Sequence, residues 1–465
     1  MATKTAPPKR LRVRPIDPAL ARFVRARMKD TGAPGVSVGV WHKGRALGSG
    51  FGITSVEAPD PVDENTLFQI GSTGKTFTAT AVMLLVDKGE LDLDVPVRRY
   101  LRDLKLKDAD VTKKVTLRHL LTHTGGWAGD YFLDTGRGDD ALAKAVASLH
   151  KVPQLTPLGE VWHYNNAGFY IAGRLIEKAT GMPYEKAVTE LVLEPLGMTR
   201  SFFFAEETIG YRVVAGHNAK TPRSTKHEMA RPWDIGRNAG PAGGLISDVV
   251  DQMRWAQFHI GDGRAPNGKR LLKVSTMRQM QKPQAAAGNI AESVGISWLL
   301  DDYDGARTVA HGGTTYGQLS AFVMVPERDF AVTVLTNSSR GMEVHGPVVR
   351  KALSLYLGLE QRLPVPIETN GSDLGRYEGR YVDAFKTAAL DIGVRGRRLH
   401  VNVGPVEGDT DLGLAPFYMA PFDEDMVLVQ GGRLDGLRAE FLRDGRNRVR
   451  WIRFGGRLWR KTPAR

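Results

Sequence analysis

A serine and a lysine stand three positions apart at the start of an apolar stretch, in the run Gly71-Ser72-Thr73-Gly74-Lys75. In a helical first turn, side chains at this spacing project from the same face, so the Lys75 amine can approach the Ser72 hydroxyl. A serine hydroxyl is a weak nucleophile at neutral pH and needs a base within reach. The positive end of the helix dipole and a partly desolvated pocket both disfavour the ammonium form, which would help the amine to act as that base.

Two other interpretations of glycine-rich runs fail on their context. The run from Gly71 to Thr76 resembles the end of a phosphate-binding loop, but that loop requires a glycine where this chain has Gln69. Ser37 lies in a G-x-S-x-G pattern, which is typical of a nucleophile elbow between a strand and a helix. Because Ser37 falls within an alternating strand that ends in a hairpin, we interpret it as structural.

A second polar cluster, Trp162-His163-Tyr164-Asn165-Asn166, precedes a predicted helix. Tyr164 and Asn166 can both face a cleft from the loop that leads into this helix. A tyrosine beside a cation has a depressed pKa and can act as a general base. The Asn166 amide can orient a lysine amine or a substrate carbonyl, or it can cap the following helix.

The third cluster is His311-Gly312-Gly313-Thr314, immediately before a candidate edge strand. Glycines at such a place allow a ligand to approach the backbone closely. An exposed N–H at Thr314 and the N–H of Ser72 could form a two-donor oxyanion hole. A lone histidine before two glycines is also typical of a structural turn.

The elements that must position these clusters predict an α+β fold. Strands are predicted at 36–41, after a hairpin turn to about residue 52, at 319–325 and at 330–335. The early and the late strands can therefore share one sheet, with the helical middle of the chain beside it. Helices are predicted at 16–29, 76–88, 117–122, 139–149, 166–180, 184–192, 249–260 and 347–357.

The texture of the chain changes near Leu363-Pro364-Val365-Pro366. Beyond it, short β-like runs at 376–382, 399–403, 426–430 and 449–454 are broken by Gly and Asp, which predicts a small antiparallel β-domain that is barrel-like. The predicted division is a flexible arm over 1–16, a main domain over 17–357, a linker over 358–371 and the β-domain over 372–465.

Composition narrows the function classes. The 465 residues include no cysteine, which excludes disulfides, Cys-ligated metal sites and a cysteine nucleophile. The net charge of +13 is mostly scattered and accompanies no nucleic-acid-binding motif, so we expect no nucleic-acid partner. No apolar run is long enough to span a membrane. Residues 1–18 lack the apolar core of a signal peptide, so we expect a cytoplasmic protein, although a leader already removed would leave no trace.

Two histidines, His119 and His123, stand four positions apart, a spacing that can bind a metal ion. The chain has no intervening glutamate of the H-E-x-x-H type and no evident third ligand. We therefore interpret both as structural and expect no metal and no cofactor.

The three clusters together, in this order, resemble those of the penicillin-recognising serine hydrolases, specifically the class C β-lactamase group with its esterases and D-aminopeptidases. The runs that begin at Thr116, Glu194 and Ala242 are similarly familiar, and the resemblance covers residues 17–355. It implies the β-lactamase and penicillin-binding-protein fold, an antiparallel sheet with a helical subdomain. The C-terminal β-domain resembles the barrel of some peptidases, where it borders the active site and restricts substrate size.

The resemblance also implies the role of each residue. Ser72 would be acylated, while Lys75 and Tyr164 would share the general-base role and then protonate the leaving group. Asn166 would hold the amine and the substrate, and the N–H groups of Ser72 and Thr314 would bind the oxyanion.

The third cluster departs from the β-lactamase pattern, because His311-Gly312-Gly313 stands where those enzymes usually have Lys-Thr-Gly. That lysine supplies a permanent charge for a substrate carboxylate, whereas a histidine is largely neutral above about pH 6.5. We therefore expect action on a small ester, amide or peptide, of the carboxylesterase or D-aminopeptidase type, in preference to β-lactamase or penicillin-binding peptidase activity. A non-catalytic ligand sensor that keeps the acylation site is the alternative from another class. The sequence does not indicate an oligomeric state.

Overall fold

The computed structural model of the protein describes residues 10–222, 224–361, 364–368, 371–407, 415–431 and 434–463. The α-helices are α1 Pro18–Thr31, α2 Gly74–Asp87, α3 Ala109–Lys114, α4 Leu117–Leu121, α5 Ala141–Ala147, α6 Asn166–Thr180, α7 Tyr184–Val188, α8 Glu194–Leu196, α9 Gly240–Gly243, α10 Val249–Ile260, α11 Val274–Met280, α12 Met342–Leu357 and α13 Gly371–Leu374.

The β-strands alternate with these helices and then dominate the last part of the chain. They are β1 Gly35–His42, β2 Arg45–Gly52, β3 Phe68–Gln69, β4 His217–Ala219, β5 His227–Met229, β6 Ile246–Ser247, β7 Ala285–Ala286, β8 Ser293–Val294, β9 Leu299–Tyr303, β10 Ala306–Thr314, β11 Leu319–Val325, β12 Phe330–Thr336, β13 Gly379–Val382, β14 Ala388–Arg395, β15 Arg398–Pro405, β16 Phe417–Asp423, β17 Met426–Gln430, β18 Arg438–Arg443, β19 Val449–Phe454 and β20 Arg457–Lys461.

An eight-stranded antiparallel sheet joins the two ends of the main domain, in the order β2-β1-β12-β11-β10-β9-β8-β7. The early strand β1 pairs with the late strand β12, with Val38 opposite Val334. Helices α1 and α12 pack together over one face of this sheet, and α10 contacts β1 and β12. The predicted α+β arrangement, with strands from both ends in one sheet, is confirmed.

The helical part of the main domain is built around α2. Every residue of α2 from Gly74 to Leu85 is buried, and the helix packs against α6 and α9. A helix that is covered on all sides belongs to the centre of a core. The direction in which its first turn points is therefore fixed by the surrounding helices.

The C-terminal region is a closed antiparallel barrel of strands β13 to β20. It closes where β13 pairs with β20, with Tyr381 opposite Lys461. Its interior is a separate apolar cluster that includes Tyr381, Met419 and Ile452. The predicted barrel is confirmed, while the division at residues 358–371 stays a prediction.

Part of the predicted flexible arm over 1–16 is packed against the main domain. Residues 1–9 lie outside the described part of the chain, but Arg14 exchanges backbone hydrogen bonds with Ala46 and Gly48 of the edge strand β2. Arg10 reaches the buried carboxylate of Asp248 at 2.6 Å. Arg10 and Arg14, which the composition predicts to lie in a flexible arm, are therefore held by a buried carboxylate and by the open edge of the sheet. Among the described helices, none combines the length and apolar character needed to cross a bilayer.

Candidate active site

Ser72 lies in a single 3₁₀ turn, Gly71–Thr73, directly before α2. Gly71 has a φ of +51°, and a Cβ there would lie 2.6 Å from the backbone nitrogen of Thr314. Only glycine combines this backbone conformation with so close an approach. The hydroxyl of Ser320 on β11 donates to the carbonyl of Ile70 at 2.7 Å, which ties the turn to the sheet.

Lys75 brings its amine to the serine, as its spacing predicts. Lys75 Nζ is 3.0 Å from Ser72 Oγ, it donates to the carbonyl of Ala242, and its residue is fully buried. Burial and, next, the charge of Arg457 hold the pKa of Lys75 well below its ordinary value, and Asp130 opposes them only in part. A neutral amine that donates to Ala242 keeps a lone pair for the proton of Ser72.

Tyr164 lies against the same amine, with its ring centre 5.0 Å from Lys75 Nζ. Burial raises the pKa of the phenol, and the Ser72 hydroxyl and the charge of Arg457 reverse this only in part. The Ser72 hydroxyl is near enough to lower the pKa of the phenol. At ordinary hydrogen-bond distances, however, the phenol oxygen has no partner among the described residues. The expectation of a depressed pKa is therefore wrong, because desolvation outweighs the nearby cation. Tyr164 keeps its proton and is available as a donor.

Asn166 begins α6, and its side-chain amide pairs with a carboxylate. Its Nδ2 donates to Asp130 Oδ1 at 2.6 Å. The helix is capped by Asn165, whose side-chain oxygen accepts from the backbone of Gly168 at 2.8 Å. Among the described residues, Lys75 donates to Ser72 and Ala242 and makes no hydrogen bond to Asn166, and the capping role belongs to Asn165.

His311 lies on β10 and is uncharged. Its Nδ1 donates to the carbonyl of Gly312 at 2.7 Å, and burial followed by the charge of Lys75 lowers the pKa of the ring to about 3. Its centre is 6.2 Å from that of the Tyr164 ring, and its Nε2 has no partner among the described residues. The position where related clusters carry a lysine therefore supplies no positive charge.

The 3₁₀ turn that carries Ser72 and the end of β10 approach each other closely. β9 pairs with β10 only over Ala306 to Ala310, so beyond that point this edge of β10 faces the turn instead of a strand. A Cβ on Gly313 would lie 2.8 Å from the backbone nitrogen of Ser72. This contact brings the backbones of Ser72 and Thr314 together, as an oxyanion hole requires, and their role as its donors stays a prediction.

An ion pair that the sequence interpretation missed borders the site. Arg457 of the barrel donates to both carboxylate oxygens of Asp130, at 2.8 and 3.2 Å, and its guanidinium lies 4.6 Å from the centre of the Tyr164 ring. Burial would raise the pKa of Asp130, but the charge of Arg457 and hydrogen bonds from Arg457 and Asn166 hold it below its ordinary value. The two partners are 327 positions apart in the chain, and only the paired glycines before Arg457 mark a tight turn there.

His123, which the sequence predicts to be structural, makes its contacts at the site. Its backbone has a φ of +57°, in the left-handed region that few residues adopt. Its ring stacks on that of Tyr164 with centres 4.4 Å apart. His119 points elsewhere, since its Nδ1 contacts the Thr116 hydroxyl at 2.8 Å. Among the described residues, no group of three or more metal-ligating side chains converges.

A cavity of about 470 Å³ lies beside Tyr164, between the main domain and the barrel. Its walls carry charged groups at Asp130, Arg457 and Asp383, and apolar and aromatic side chains from both domains. Besides Tyr164, the large aromatic residues that line it are Tyr131, Phe132, Phe385 and Trp459. The cavity can receive a largely apolar group of a small molecule next to the phenol.

Comparisons with known proteins cover both the sequence and the fold. A family model described as beta-lactamase matches residues 20–354. Penicillin-binding protein 4 of Amycolatopsis lactamdurans is 34% identical over 372 residues, or 78% of this chain and 92% of the relative. Esterase EstB of Burkholderia gladioli is 29% identical over 338 residues, or 64% of this chain and 83% of the relative. The octameric penicillin-binding protein homologue from Pyrococcus abyssi has a similar structure, with a TM-score of 0.65 and 26% identity over 95% of this chain and 99% of that one.

Proposed function

Because the chain belongs to the beta-lactamase family of serine hydrolases, we propose that it cleaves an ester or amide bond of a small substrate through an acyl-enzyme on Ser72. One observation carries the proposal. The Lys75 amine is fully buried, lies 3.0 Å from Ser72 Oγ and has a pKa well below its ordinary value. A neutral amine at this distance is the base that a serine nucleophile needs.

In the acylation step, Ser72 Oγ attacks the substrate carbonyl carbon and its proton passes to Lys75 Nζ. The negative charge that develops on the carbonyl oxygen is stabilised by the backbone N–H groups of Ser72 and Thr314. Removing one donor of this kind typically raises a barrier by about 3 kcal/mol. Collapse of the tetrahedral intermediate then breaks the ester or amide bond.

The leaving group departs with a proton, and Tyr164 is the donor that best fits this task. Its raised pKa keeps the phenol protonated, while the lowered pKa of Lys75 keeps the amine ready to accept. Environments that push two pKa values apart assign the acid and the base. The Lys75 ammonium returns its proton to the Tyr164 oxygen, and water then hydrolyses the acyl-enzyme by the same steps in reverse.

The charges around the site favour a substrate without an obligatory carboxylate. His311 is neutral, and the nearby cation, Arg457, already donates to Asp130 and to the carbonyl of Gly455 at 2.9 Å. The cavity beside Tyr164 offers aromatic walls for an apolar group. These features support carboxylesterase or D-aminopeptidase action, and the likeness to an esterase agrees with the first of these.

A second candidate is acylation by β-lactams, as in a penicillin-binding peptidase or a β-lactamase. The observation that favours it is the 34% identity to a penicillin-binding protein over most of both chains. The neutral His311 disfavours it, because the ring does not supply the positive charge that the lysine of the related cluster carries.

The decisive experiment is labelling with a fluorophosphonate and, separately, with a fluorescent penicillin, followed by intact mass, together with turnover of p-nitrophenyl acetate and nitrocefin. We expect a phosphonate adduct on the wild-type chain and none on Ser72→Ala, with steady ester turnover and slow or no nitrocefin turnover. A stable adduct without any turnover would indicate a sensor, and nitrocefin turnover above ester turnover would favour the second candidate. An unmodified Ser72 would contradict the proposal.

A further inference from the structure

The barrel holds every second residue of the segment that carries Tyr164, two of them directly and the third through Asp130. Arg453 donates to the carbonyl of Trp162 at 2.6 Å, and the Tyr164 N–H donates to the carbonyl of Gly456 at 2.8 Å. Asn166 is reached through Asp130, which accepts from the Asn166 amide and from Arg457. Three barrel residues therefore hold positions 162, 164 and 166 from one side.

The main domain holds the residues in between, through both the backbone and the ring of His123 and, at the Asn165 side chain, through the carbonyl of Trp127 at 2.8 Å. The His163 N–H donates to the carbonyl of His123 at 3.1 Å, and the Asn165 N–H donates to His123 Nδ1 at 3.0 Å. In extended backbone, successive residues face opposite sides. The barrel therefore hydrogen-bonds to one side of the segment and the main domain to the other, with Tyr164 at the centre of the segment.

The hairpin between β19 and β20 fits this segment closely. Gly456 has a φ of +76°, and a Cβ there would lie 2.9 Å from Ile290 and 3.4 Å from Trp162. Glu440 of β18 accepts from Arg453 Nε at 3.0 Å, so the arginine that reaches Trp162 is itself fixed. Asn289 adds a hydrogen bond to the carbonyl of Arg438 at 2.9 Å, which joins the barrel to the main domain nearby.

Arg457 also sets the charge around the catalytic amine. The titratable groups near Lys75 are Asp130, Arg457, Tyr164, His123 and His311. Burial lowers the pKa of both histidines and raises that of the phenol, so Asp130 and Arg457 are the two of these neighbours that carry charge at neutral pH. Loss of the Arg457 cation would leave Asp130 unbalanced and would favour the ammonium form of Lys75.

We propose that the β19–β20 hairpin, together with Arg453 and Arg457, is a positioning element for Tyr164, so that acylation of Ser72 depends on the barrel. The inference rests on the proposed function and adds to it. Arg457 is a positioning residue, because its donors are engaged by Asp130 and Gly455 and it acts through Tyr164 and Lys75. If the barrel only limited substrate size, its loss would change the reaction rates of bulky substrates alone. If it positions Tyr164, it is needed for the reaction of even the smallest substrate.

The test compares Arg457→Gln and Arg457→Lys with a matched barrel variant, Arg443→Gln. Arg443 makes the same kind of bidentate pair, with Asp425 at 2.6 and 2.8 Å, and its further hydrogen bond goes to the carbonyl of Asn447 in the barrel. The readouts are the rate of Ser72 phosphonylation by a small fluorophosphonate, kcat and KM for p-nitrophenyl acetate across pH, and the midpoint of thermal unfolding.

We expect Arg457→Gln to lower the phosphonylation rate and kcat by about 10²-fold, since a displacement of about 1 Å at a reacting group costs this much. KM should change less than threefold. The acid limb of the pH profile should move to higher pH, because the pKa of Lys75 rises without the cation. Arg457→Lys should restore the position of this limb and part of the rate, and Arg443→Gln should match the wild type in both.

Two results would overturn the inference alone. One is an Arg457→Gln variant with rates like those of Arg443→Gln. The other is a slowed Arg457→Gln variant whose acid limb stays in place and which Arg457→Lys does not improve, because this would indicate lost packing only. A wild-type chain that is not labelled at Ser72 would overturn the proposed function, and the inference with it.

Discussion

The helical turn from Ser72 to Lys75 and the Trp162–Asn166 segment supply the reacting groups, yet they are positioned by different means. Ser72 Oγ and Lys75 Nζ owe their distance of 3.0 Å to this one turn, in which a 3₁₀ turn leads directly into a helix that is buried from Gly74 to Leu85. The segment with Tyr164 has no regular structure before α6 and takes its place from His123 and the barrel. Local backbone geometry encodes the first arrangement, and contacts between distant parts of the chain encode the second.

Burial gives the two regions opposite chemistry. The same dry environment lowers the pKa of the Lys75 amine and raises that of the Tyr164 phenol, because each group loses its charged form when water is removed. The helix therefore provides the proton acceptor, and the loop provides the proton donor.

On the helix side, we expect the largest effect from Lys75→Met. Methionine keeps the length and fills the buried space, so the fold should be retained while the base is lost. We expect kcat/KM for p-nitrophenyl acetate to fall by about 10²–10⁴-fold. The thermal unfolding midpoint, measured alongside, should stay near that of the wild type. Near-normal turnover by this variant would remove Lys75 from the proposed role.

Substitution of His123, which holds the Trp162–Asn166 segment, should lower kcat less than the loss of Lys75 does. His123→Ala leaves the Asn165 N–H without its acceptor, and a buried donor left unpaired costs about 1–3 kcal/mol of stability. We expect a loss of unfolding free energy in that range by urea denaturation, with kcat for p-nitrophenyl acetate about tenfold lower. His123→Asn should recover part of both, because asparagine tolerates the left-handed backbone and places an acceptor near the position of Nδ1. If the Asn variant were no better than Ala, the hydrogen bond would not be what holds Tyr164.

Much of the fold follows from the sequence wherever the signal is local. The hairpin strands β1, β11 and β12 and the helices α6 and α10 lie close to their predicted ranges, because apolar alternation and helical periodicity mark them. Helix α12 begins at Met342, before the predicted start at Pro347, and the carbonyl that this proline leaves free, on Glu343, accepts from Arg27 at 3.4 Å. Such rescue by a distant side chain has no signature in the local sequence.

The site divides in the same way. Ser72 and Lys75 are recognisable from their spacing, and Tyr164, His311 and Thr314 follow from short motifs. The direction of the Tyr164 pKa is not recognisable, because it depends on burial that only the folded chain creates. The partner of Asn166 and the place of Arg457 are not recognisable either, because the residues that pair there are 36 and 327 positions apart in the chain.

The central claim is that a neutral Lys75 activates Ser72, and the pH dependence of Ser72 phosphonylation by a small fluorophosphonate tests it most directly. Deprotonation of Lys75 should switch the reaction on, so the rate should rise to half its maximum well below pH 10.4, the ordinary lysine pKa. The same transition should be absent from Lys75→Met. A rise centred near pH 10, or an identical profile in the Lys75→Met variant, would contradict the account.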